Sequence, residues 1–434
     1  MNPYPYPVIV LPGIMGTELQ DEYPVSPDTV WSPFKLLTKA FDRITLHPDN
    51  TRLELKEPAR VVKSQLFELI YSEFVQELRH NLSPQGDKPV PVFPFAYDWR
   101  QPLEVAQMML ADFVEEVIAR TKLLRHYHDS GYGTANFPAK VNLAAHSMGG
   151  LIVAGYLRKF GDRQVHKIAS VGSPFRGSLE AVEKITTGEG GLGGSTSSSR
   201  EREAARVTPS LYYLLPSFAD AVKAEPGLAK DLFLTATWQP SILETLASFI
   251  RMYGLDQSDP SLQAMNLLES LLVAAERQRI EMEGLMLEDS KQWLCIVGVN
   301  ATTLVSMQIH KDAEGKPRFD LKSEGRRDDW KSKDPAKRTQ TGDETVPYFG
   351  ARASFIPTEQ LVCVIPGDYG FWEIKDKVLN RAGFHANLPN MNLVQRLVVS
   401  HFKDEKYGDV WGRPAPDLPE GKPWDPPIEG LKKK

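Results

Sequence analysis

The chain has 434 residues, of which 41% are hydrophobic and 25% are charged, and its formal net charge at pH 7 is −5. These values are typical of a globular protein with a sizeable core, built as one large α/β domain with insertions or as two to three ordinary domains. The excess of acidic residues provides no positive field for phosphate groups, so the composition argues against nucleic-acid binding as the main activity.

The cysteines and the first residues of the chain give no sign of an oxidising compartment. Cys295 and Cys363 each lie in an apolar run, which favours inert core side chains over a disulfide framework or a metal site. Residues 1–34 contain no Lys or Arg and lack the features of a secretory signal. No run of about 18 uncharged apolar residues occurs. We therefore expect a cytoplasmic protein without a transmembrane helix.

Short apolar runs that predict strands recur along the chain. They are residues 8–11, 90–95, 140–146, 166–172, 293–299 and 361–366. Several of the runs are apolar throughout, as in strands that are buried on both faces of a parallel sheet. Helical patterns lie between them, for example at 103–124 and at 149–161. This alternation predicts an α/β fold with a doubly wound, mostly parallel sheet.

The alternation is interrupted in the middle of the chain, which suggests four parts. They are a first core part at 1–177, an inserted helical cap or lid at 178–292, a second core part at 293–403 and a Pro-rich extended tail at 404–434. A Gly/Ser-rich loop at 186–203 belongs to the insertion. The insertion is equally compatible with a purely structural cap and with a lid that shapes a substrate site. We expect the tail to be poorly packed.

Within the insertion, Asp259 precedes a proline, as in a helix that begins with a capping side chain. Met265, Leu268, Leu272 and Ala275 then fall on one face of this helix, and the charged residues lie elsewhere.

The segment VNLAAHSMGG places Ser147 between a predicted strand and a predicted helix. Small residues two positions before and after the serine, Ala145 and Gly149, are what a nucleophile elbow requires, because larger side chains would collide with the neighbouring strand and helix. The usual pattern has glycine at both positions, so Ala145 departs from it by one methyl group. Taken alone, the segment also fits an ordinary helix N-cap serine.

A serine nucleophile needs a base and an acid, which follow it in the order acid, then histidine, in α/β-hydrolases. His385 is the best candidate for the base, because it follows the last predicted strand and precedes an amphipathic helix. His146, beside the serine, is interpreted as a packing residue. Asp343 and Asp368 both follow strands, so position alone leaves both open as the acid.

Stabilisation of an oxyanion needs two backbone N–H groups. The residue after the serine, Met148, would supply one. The loop LPGIMGT, which contains Gly13, nominates Ile14 for the other. A plain turn at the end of a strand would have the same sequence features.

Four segments in order resemble the lecithin:cholesterol acyltransferase and lysosomal phospholipase A2 family of α/β-hydrolases. They are VIVLPGIMGTEL, FAYDWR, AHSMGG and GDETVP followed by His385. The resemblance implies the α/β-hydrolase fold, the amide of Ile14 as an oxyanion donor and Asp343 as the acid. The family also admits alanine at the position of Ala145. The paired cysteines and the secretion signal of the animal enzymes are missing, and the lid sequence is different.

The segment FAYDWR contributes three candidates for supporting roles. We expect Asp98 and Arg100 to make structural hydrogen bonds near the site, and Trp99 to pack in the core or to contact acyl chains.

The resemblance implies a serine hydrolase or acyltransferase that acts on phospholipid-like esters through an acyl-serine intermediate, without a metal or organic cofactor. The expected partner is a lipid or ester substrate, and a transient contact with a membrane surface is compatible with it. The oligomeric state is not predicted. The alternatives are a carboxylesterase for small soluble esters and a non-catalytic, hydrolase-like binding scaffold.

Overall fold

The computed structural model describes residues 4–32, 41–188, 199–370 and 383–434. Its central feature is a six-stranded sheet in which every neighbouring pair of strands is parallel. In chain order the strands are β1 (Val8–Leu11), β2 (Val92–Pro94), β3 (Val141–His146), β4 (Val165–Val171), β5 (Trp293–Gly298) and β6 (Val362–Val364). Across the sheet their order is β6, β5, β4, β3, β1, β2. Each predicted apolar run supplies one of these strands.

Helices flank this sheet and bury its strands. The longer ones are α1 (Glu68–Leu82), α2 (Leu103–Lys122), α3 (Met148–Phe160), α4 (Leu179–Thr187), α5 (Ser199–Arg206), α6 (Pro240–Tyr253), α7 (Pro260–Glu283) and α8 (Asn392–Lys403). Every residue of β1, β3 and β5 is buried, as the unbroken apolar runs predict. The predicted α/β-hydrolase fold is confirmed.

Shorter strands form small sheets around the central one. They are Thr17–Asp21, Asp28–Trp31 and Val61–Leu66; Leu46–His47 and Asn50–Glu54; Val222–Ala224, Met307–Lys311 and Pro317–Asp320; Thr303–Leu304 and Arg326–Arg327; and Trp411–Gly412 and Lys432–Lys433. Short helices are Arg125–Asp129, Pro209–Tyr212, Tyr348–Ala351 and Phe384–Asn387.

The helix that begins after Asp259 forms as predicted. The carboxylate of Asp259 accepts a hydrogen bond from the N–H of Leu262 at 3.0 Å, which caps α7. Of the four apolar residues that share one face of the helix, Met265 lies at the margin and is 40% exposed. Ala264 is buried instead, because it lies one helical turn before the buried Leu268, whereas Met265 is rotated away from that face.

The residues between β4 and β5 contain α4 to α7 and the strand Val222–Ala224. This strand pairs with Met307–Lys311, which follows β5. The boundary predicted at residue 292 therefore does not separate the insertion from the second core part in space. Of the predicted Gly/Ser-rich loop, residues 189–198 lie outside the described residues.

A buried arginine connects α7 to the loop after β4. The guanidinium of Arg279 donates hydrogen bonds to three backbone carbonyls, those of Phe175, Tyr213 (2.8 Å) and Leu215 (3.0 Å). Burial lowers the pKa of Arg279 to about 10, so the group remains charged at neutral pH. Three acceptors compensate for the desolvation of this charge.

The tail after residue 404 is packed more closely than expected. Arg413 and Cys363 exchange two backbone hydrogen bonds, of 2.8 and 3.1 Å, beside the edge strand β6. The indole of Trp424 donates to the carbonyl of Leu361 at 2.8 Å, and Val410 is fully buried. The expectation of a poorly packed tail is wrong, because an exposed sheet edge gains hydrogen-bond partners when an extended segment covers it.

Cys295 and Cys363 are free and buried, and burial raises the pKa of both thiols, that of Cys295 to about 12. None of the described helices combines the length and the apolar character that crossing a bilayer requires.

Candidate active site

Ser147 occupies the turn between β3 and α3. Its backbone has φ of 52° and ψ of −126°, a conformation that non-glycine residues rarely adopt. A β-carbon at Gly149 would lie 2.8 Å from the carbonyl oxygen of Leu11, so the turn requires glycine there. Ala145 is buried opposite Leu11 in the strand register, and its methyl group is accommodated. The segment has the backbone form that a nucleophile elbow requires.

The loop after β1 passes directly beside the serine. A β-carbon at Gly13 would lie 2.8 Å from Cβ of Ser147 and 3.3 Å from its Oγ, so only glycine permits this approach. Ile14 lines the same cavity as Ser147, and Met148 is buried at the first position of α3. Both residues that the sequence nominates as amide donors therefore lie close to Ser147.

His385 joins Ser147 to Asp343 through two hydrogen bonds. Its Nε2 lies 2.9 Å from Oγ of Ser147, and its Nδ1 lies 2.7 Å from Oδ2 of Asp343. The N–H groups of Thr345 and Val346 donate to Oδ1 of Asp343 at 3.1 and 2.6 Å, which fixes the carboxylate. With Nδ1–H donating to Asp343, Nε2 is the ring atom that can accept the serine proton.

Glu344 holds the short helix that carries His385. Its backbone has φ of 82°, and its N–H donates to Oγ1 of Thr303 at 2.9 Å. Its carboxylate accepts a hydrogen bond from the N–H of Phe384, the first residue of that helix. A carboxylate at a helix N-terminus satisfies an amide that has no partner within the helix. The sequence contains no local signal for this contact, because the two residues are forty positions apart.

The other acidic candidate, Asp368, is engaged elsewhere. Arg413 donates to both of its carboxylate oxygens, at 2.6 and 3.0 Å, and the indole of Trp411 donates to it at 2.9 Å. Although burial acts in the opposite direction, these hydrogen bonds lower the pKa of Asp368. It anchors the C-terminal tail, and Asp343 is the carboxylate that contacts His385.

The side chains of FAYDWR do not line the cavity beside Ser147. Arg100 is fully buried and pairs with Asp98 at 2.7 Å and with Glu54 at 2.8 Å, as expected for a structural role. Trp99 packs against Trp31 with ring centroids 5.1 Å apart, and this agrees with packing rather than with contact to an acyl chain.

A second series of hydrogen bonds lies beside Ser147 and passes through His146. The N–H of Gly13 donates to the hydroxyl oxygen of Tyr71 at 2.8 Å, and this hydroxyl lies 2.8 Å from Nδ1 of His146. Nε2 of His146 lies 3.0 Å from the backbone carbonyl of His385. The interpretation of His146 as a packing residue is wrong, because both ring nitrogens have hydrogen-bond partners. Tyr71 lies in no recognisable motif, so no sequence pattern selects it as a site residue.

A cavity of about 430 Å³ opens beside Ser147 and His385. This size lies within the usual range for small-molecule sites. The apolar residues that line it are Ile14, Met15, Ile70, Pro174, Ala181, Leu211, Leu214, Val346 and Ala386. Ala181, Leu211 and Leu214 belong to the segment between β4 and β5, so this segment supplies one wall. Such a wall suits the hydrocarbon part of a ligand.

Charged residues also reach this cavity. Glu180 of α4 pairs with Arg326 at 3.1 Å, and Glu183 pairs with the same guanidinium at 2.9 Å. Burial and the neighbouring Glu183 raise the pKa of Glu180 to about 7. Lys184 also lines the cavity and is paired with Glu201. Two carboxylates thus share one guanidinium, and we call Glu180, Glu183 and Arg326 the charged cluster.

Over the described ranges, no group of three or more His, Cys, Asp or Glu side chains is arranged to hold a metal ion.

The sequence was compared with models of protein families, and the structure was compared with solved structures. The family model for lecithin:cholesterol acyltransferase matches residues 62–322. A chain of the Tle4–Tli4 complex has a TM-score of 0.58 at 16% identity, over 91% of this chain and 97% of that chain, and so has the same fold. The mature Bacillus licheniformis lipase BlEst2 has a TM-score of 0.27 at 12% identity, over 58% of this chain and 75% of that chain.

No curated protein matches the chain at a significant level. The match to the family model nevertheless extends over more than half of the 434 residues. The chain therefore belongs to the lecithin:cholesterol acyltransferase family.

Proposed function

We propose that the protein is a serine hydrolase or acyltransferase that acts on lipid-like esters. The observation that carries the proposal is the chain of hydrogen bonds from Ser147 through His385 to Asp343 beside a largely apolar cavity. Membership of the family supports an ester of a lipid as the substrate, and the apolar wall of the cavity suits its acyl chain.

In this mechanism Oγ of Ser147 attacks the ester carbonyl while Nε2 of His385 takes the hydroxyl proton. Asp343 accepts the hydrogen bond from Nδ1–H and stabilises the imidazolium that forms. His385 then gives the proton to the leaving alcohol, and an acyl group remains on Ser147. Water or another alcohol, deprotonated by His385, then attacks the carbonyl of the acyl-serine. The bond to Oγ of Ser147 breaks, Oγ takes the proton back from His385, and the free acid or the new ester is released.

The N–H groups of Met148 and Ile14 are the proposed donors to the oxyanion. The N–H of Gly13, which precedes Ile14 in the loop, already donates to Tyr71 and is therefore not available. Met148 begins α3, where the first N–H groups have no partner within the helix. A lid function for the segment between β4 and β5 is part of the proposal, because its side chains form one wall of the cavity.

The test begins with labelling by a fluorophosphonate, which phosphonylates an activated serine with loss of fluoride. We expect the wild-type protein to be labelled and Ser147→Ala not to be. Ser173→Ala is the matched control, because Ser173 is also a buried serine close to α3. Absence of labelling in the folded wild-type protein would support the non-catalytic scaffold instead.

Substrate class is tested by product analysis. The purified protein is incubated with a phospholipid mixture, with and without an added alcohol, and with a series of esters of increasing acyl length. Release of fatty acid or formation of a new ester from the phospholipids supports the proposal. Turnover of only the short, soluble esters would instead indicate a carboxylesterase.

A further inference from the structure

Tyr71 and His146 form a connected path between two parts of the candidate site that are distant in sequence. Tyr71 lies on α1, and His146 is the last residue of β3. Their partners are Gly13, in the loop that carries Ile14, and the backbone of His385. The path thus begins at the proposed oxyanion loop and ends at the proposed base.

The direction of each hydrogen bond is fixed by chemistry. The carbonyl of His385 can only accept, so Nε2 of His146 carries the proton and its Nδ1 carries a lone pair. The hydroxyl of Tyr71 must then donate to Nδ1, which leaves its oxygen to accept from the N–H of Gly13. For a neutral imidazole, all donors and acceptors in the path are used once, and no other assignment of the protons satisfies the three contacts.

The charge state of both residues suits this arrangement. Burial, together with the nearby His385, lowers the pKa of His146 well below its usual value, so the ring is neutral. Burial raises the pKa of Tyr71, so its hydroxyl keeps its proton. The rings of His146 and His385 have centroids 5.0 Å apart. A positive charge on His146 would oppose proton uptake by His385, and the neutral form avoids this.

We propose that Tyr71 and His146 are positioning residues that hold the loop of Ile14 and the turn of His385 at a fixed separation on either side of Ser147. Small displacements of catalytic groups cost large factors in rate, and the path links the two groups that must act on the same substrate carbonyl. This inference rests on the proposed function, since the positioning role concerns residues around the same serine.

The main test is Tyr71→Phe, which removes one oxygen and keeps the ring. We expect kcat to fall about 10- to 100-fold with KM within about threefold, because the substrate is still bound while the reacting groups are displaced. The rate constant for fluorophosphonate labelling should fall by a similar factor. Tyr127→Phe is the matched control: Tyr127 is a fully buried tyrosine whose hydroxyl donates to the backbone of Pro5 at 2.7 Å, and its loss should leave kcat unchanged.

The path is tested as a unit by His146→Gln and by the double variant with Tyr71→Phe. The amide N–H of Gln can take the position of Nε2 and donate to the carbonyl of His385, but its amide oxygen does not then occupy the position of Nδ1, so the contact with Tyr71 is lost. If the two residues act together, the double variant loses no more than about threefold beyond the slower single variant. If Tyr71→Phe fails to fold, His146→Gln takes its place in the same kinetic comparison with Tyr127→Phe.

Two outcomes contradict the inference separately from the proposed function. If wild type is labelled and Tyr71→Phe has kcat and a labelling rate within twofold of it, the positioning role is wrong while the serine mechanism stands. Fully additive losses in the double variant would also overturn it. An unlabelled wild-type protein would contradict the proposed function itself.

Discussion

Two groups of hydrogen-bonded side chains lie at the cavity, and they differ in how many partners each side chain has. We call them the first centre, which contains Ser147, and the charged cluster. In the first, each ring nitrogen of His385 has its own partner, Ser147 on one side and Asp343 on the other, and two backbone N–H groups fix the carboxylate. In the charged cluster, the carboxylates of Glu180 and Glu183 compete for one guanidinium that is 35% exposed. The activity of the first centre should therefore fall when a single hydrogen-bonding atom is lost. The contribution of the charged cluster to stability should instead depend on the protonation of its carboxylates.

The largest expected effect tests the first centre. Asp343→Asn keeps the shape of the side chain but replaces an acceptor of the Nδ1–H by an amide, so His385 can adopt the wrong tautomer. We expect kcat to fall by about 10² to 10⁴, measured by ester hydrolysis. Asp368→Asn is the matched control, because the hydrogen bonds of Asp368 go to the tail and to the N–H of Ile365; a similar loss of activity there would contradict the assignment of the acid.

A smaller effect is expected at Glu344. Glu344→Gln keeps an acceptor for the N–H of Phe384 but removes the charge at the N-terminus of the helix that carries His385. We expect kcat to fall by about 3- to 10-fold with little change in thermal stability, since a helix-terminus charge contributes about 0.3–1 kcal/mol. An unchanged kcat would show that Asp343 and the neighbouring backbone hold His385 without this carboxylate.

Substitutions at the two small residues of the elbow, Gly149 and Ala145, should differ in their effect on the free energy of unfolding. Gly149→Ala would place a methyl group 2.8 Å from the carbonyl of Leu11, so the free energy of unfolding should fall by about 1–3 kcal/mol. Ala145→Gly removes a buried methyl group from a position where glycine also fits, and should cost about 1 kcal/mol. Chemical denaturation of both variants measures the difference, and equal losses would contradict the steric account of the turn.

The charged cluster should respond to pH. Because the pKa of Glu180 is raised from 4.5 to about 7, the folded protein binds more protons than the unfolded chain between these values. The contribution of Glu180 to stability is therefore present at acid pH and is lost as the pH rises to 7. Glu180→Gln should flatten this dependence by about 1–2 kcal/mol, measured by thermal unfolding from pH 4.5 to pH 8. A parallel pH profile for the variant and wild type would exclude Glu180 as the titrating group.

The two centres also differ in how far the sequence predicts them. Ser147, Asp343 and His385 follow recognisable strands and lie in segments that resemble one family, so local patterns locate them. The charged cluster depends on the approach of Arg326 to α4, which are more than a hundred residues apart. No local pattern specifies that contact, because charged side chains at such positions are ordinarily solvated.

The central strands are predictable for the same reason as the serine, since an apolar run with turns on either side has few other structures available. The pairing of Val222–Ala224 with Met307–Lys311 and the packing of the tail both depend on distant partners. Tyr71 and His146 also belong to this second class. A tyrosine on an amphipathic helix and a histidine in a buried strand become connected only when β3 and α1 are assembled.

The tail that covers β6 has a practical consequence for any shortened form of the protein. A fragment that ends near residue 403 retains Ser147, Asp343 and His385 but loses the backbone partner of Cys363 and the anchor at Asp368. It would present an uncovered strand edge to other copies, and such edges promote self-association. A low yield of this fragment would then reflect the uncovered sheet edge and not a defect in the site. Expression trials should therefore retain residues 404–434.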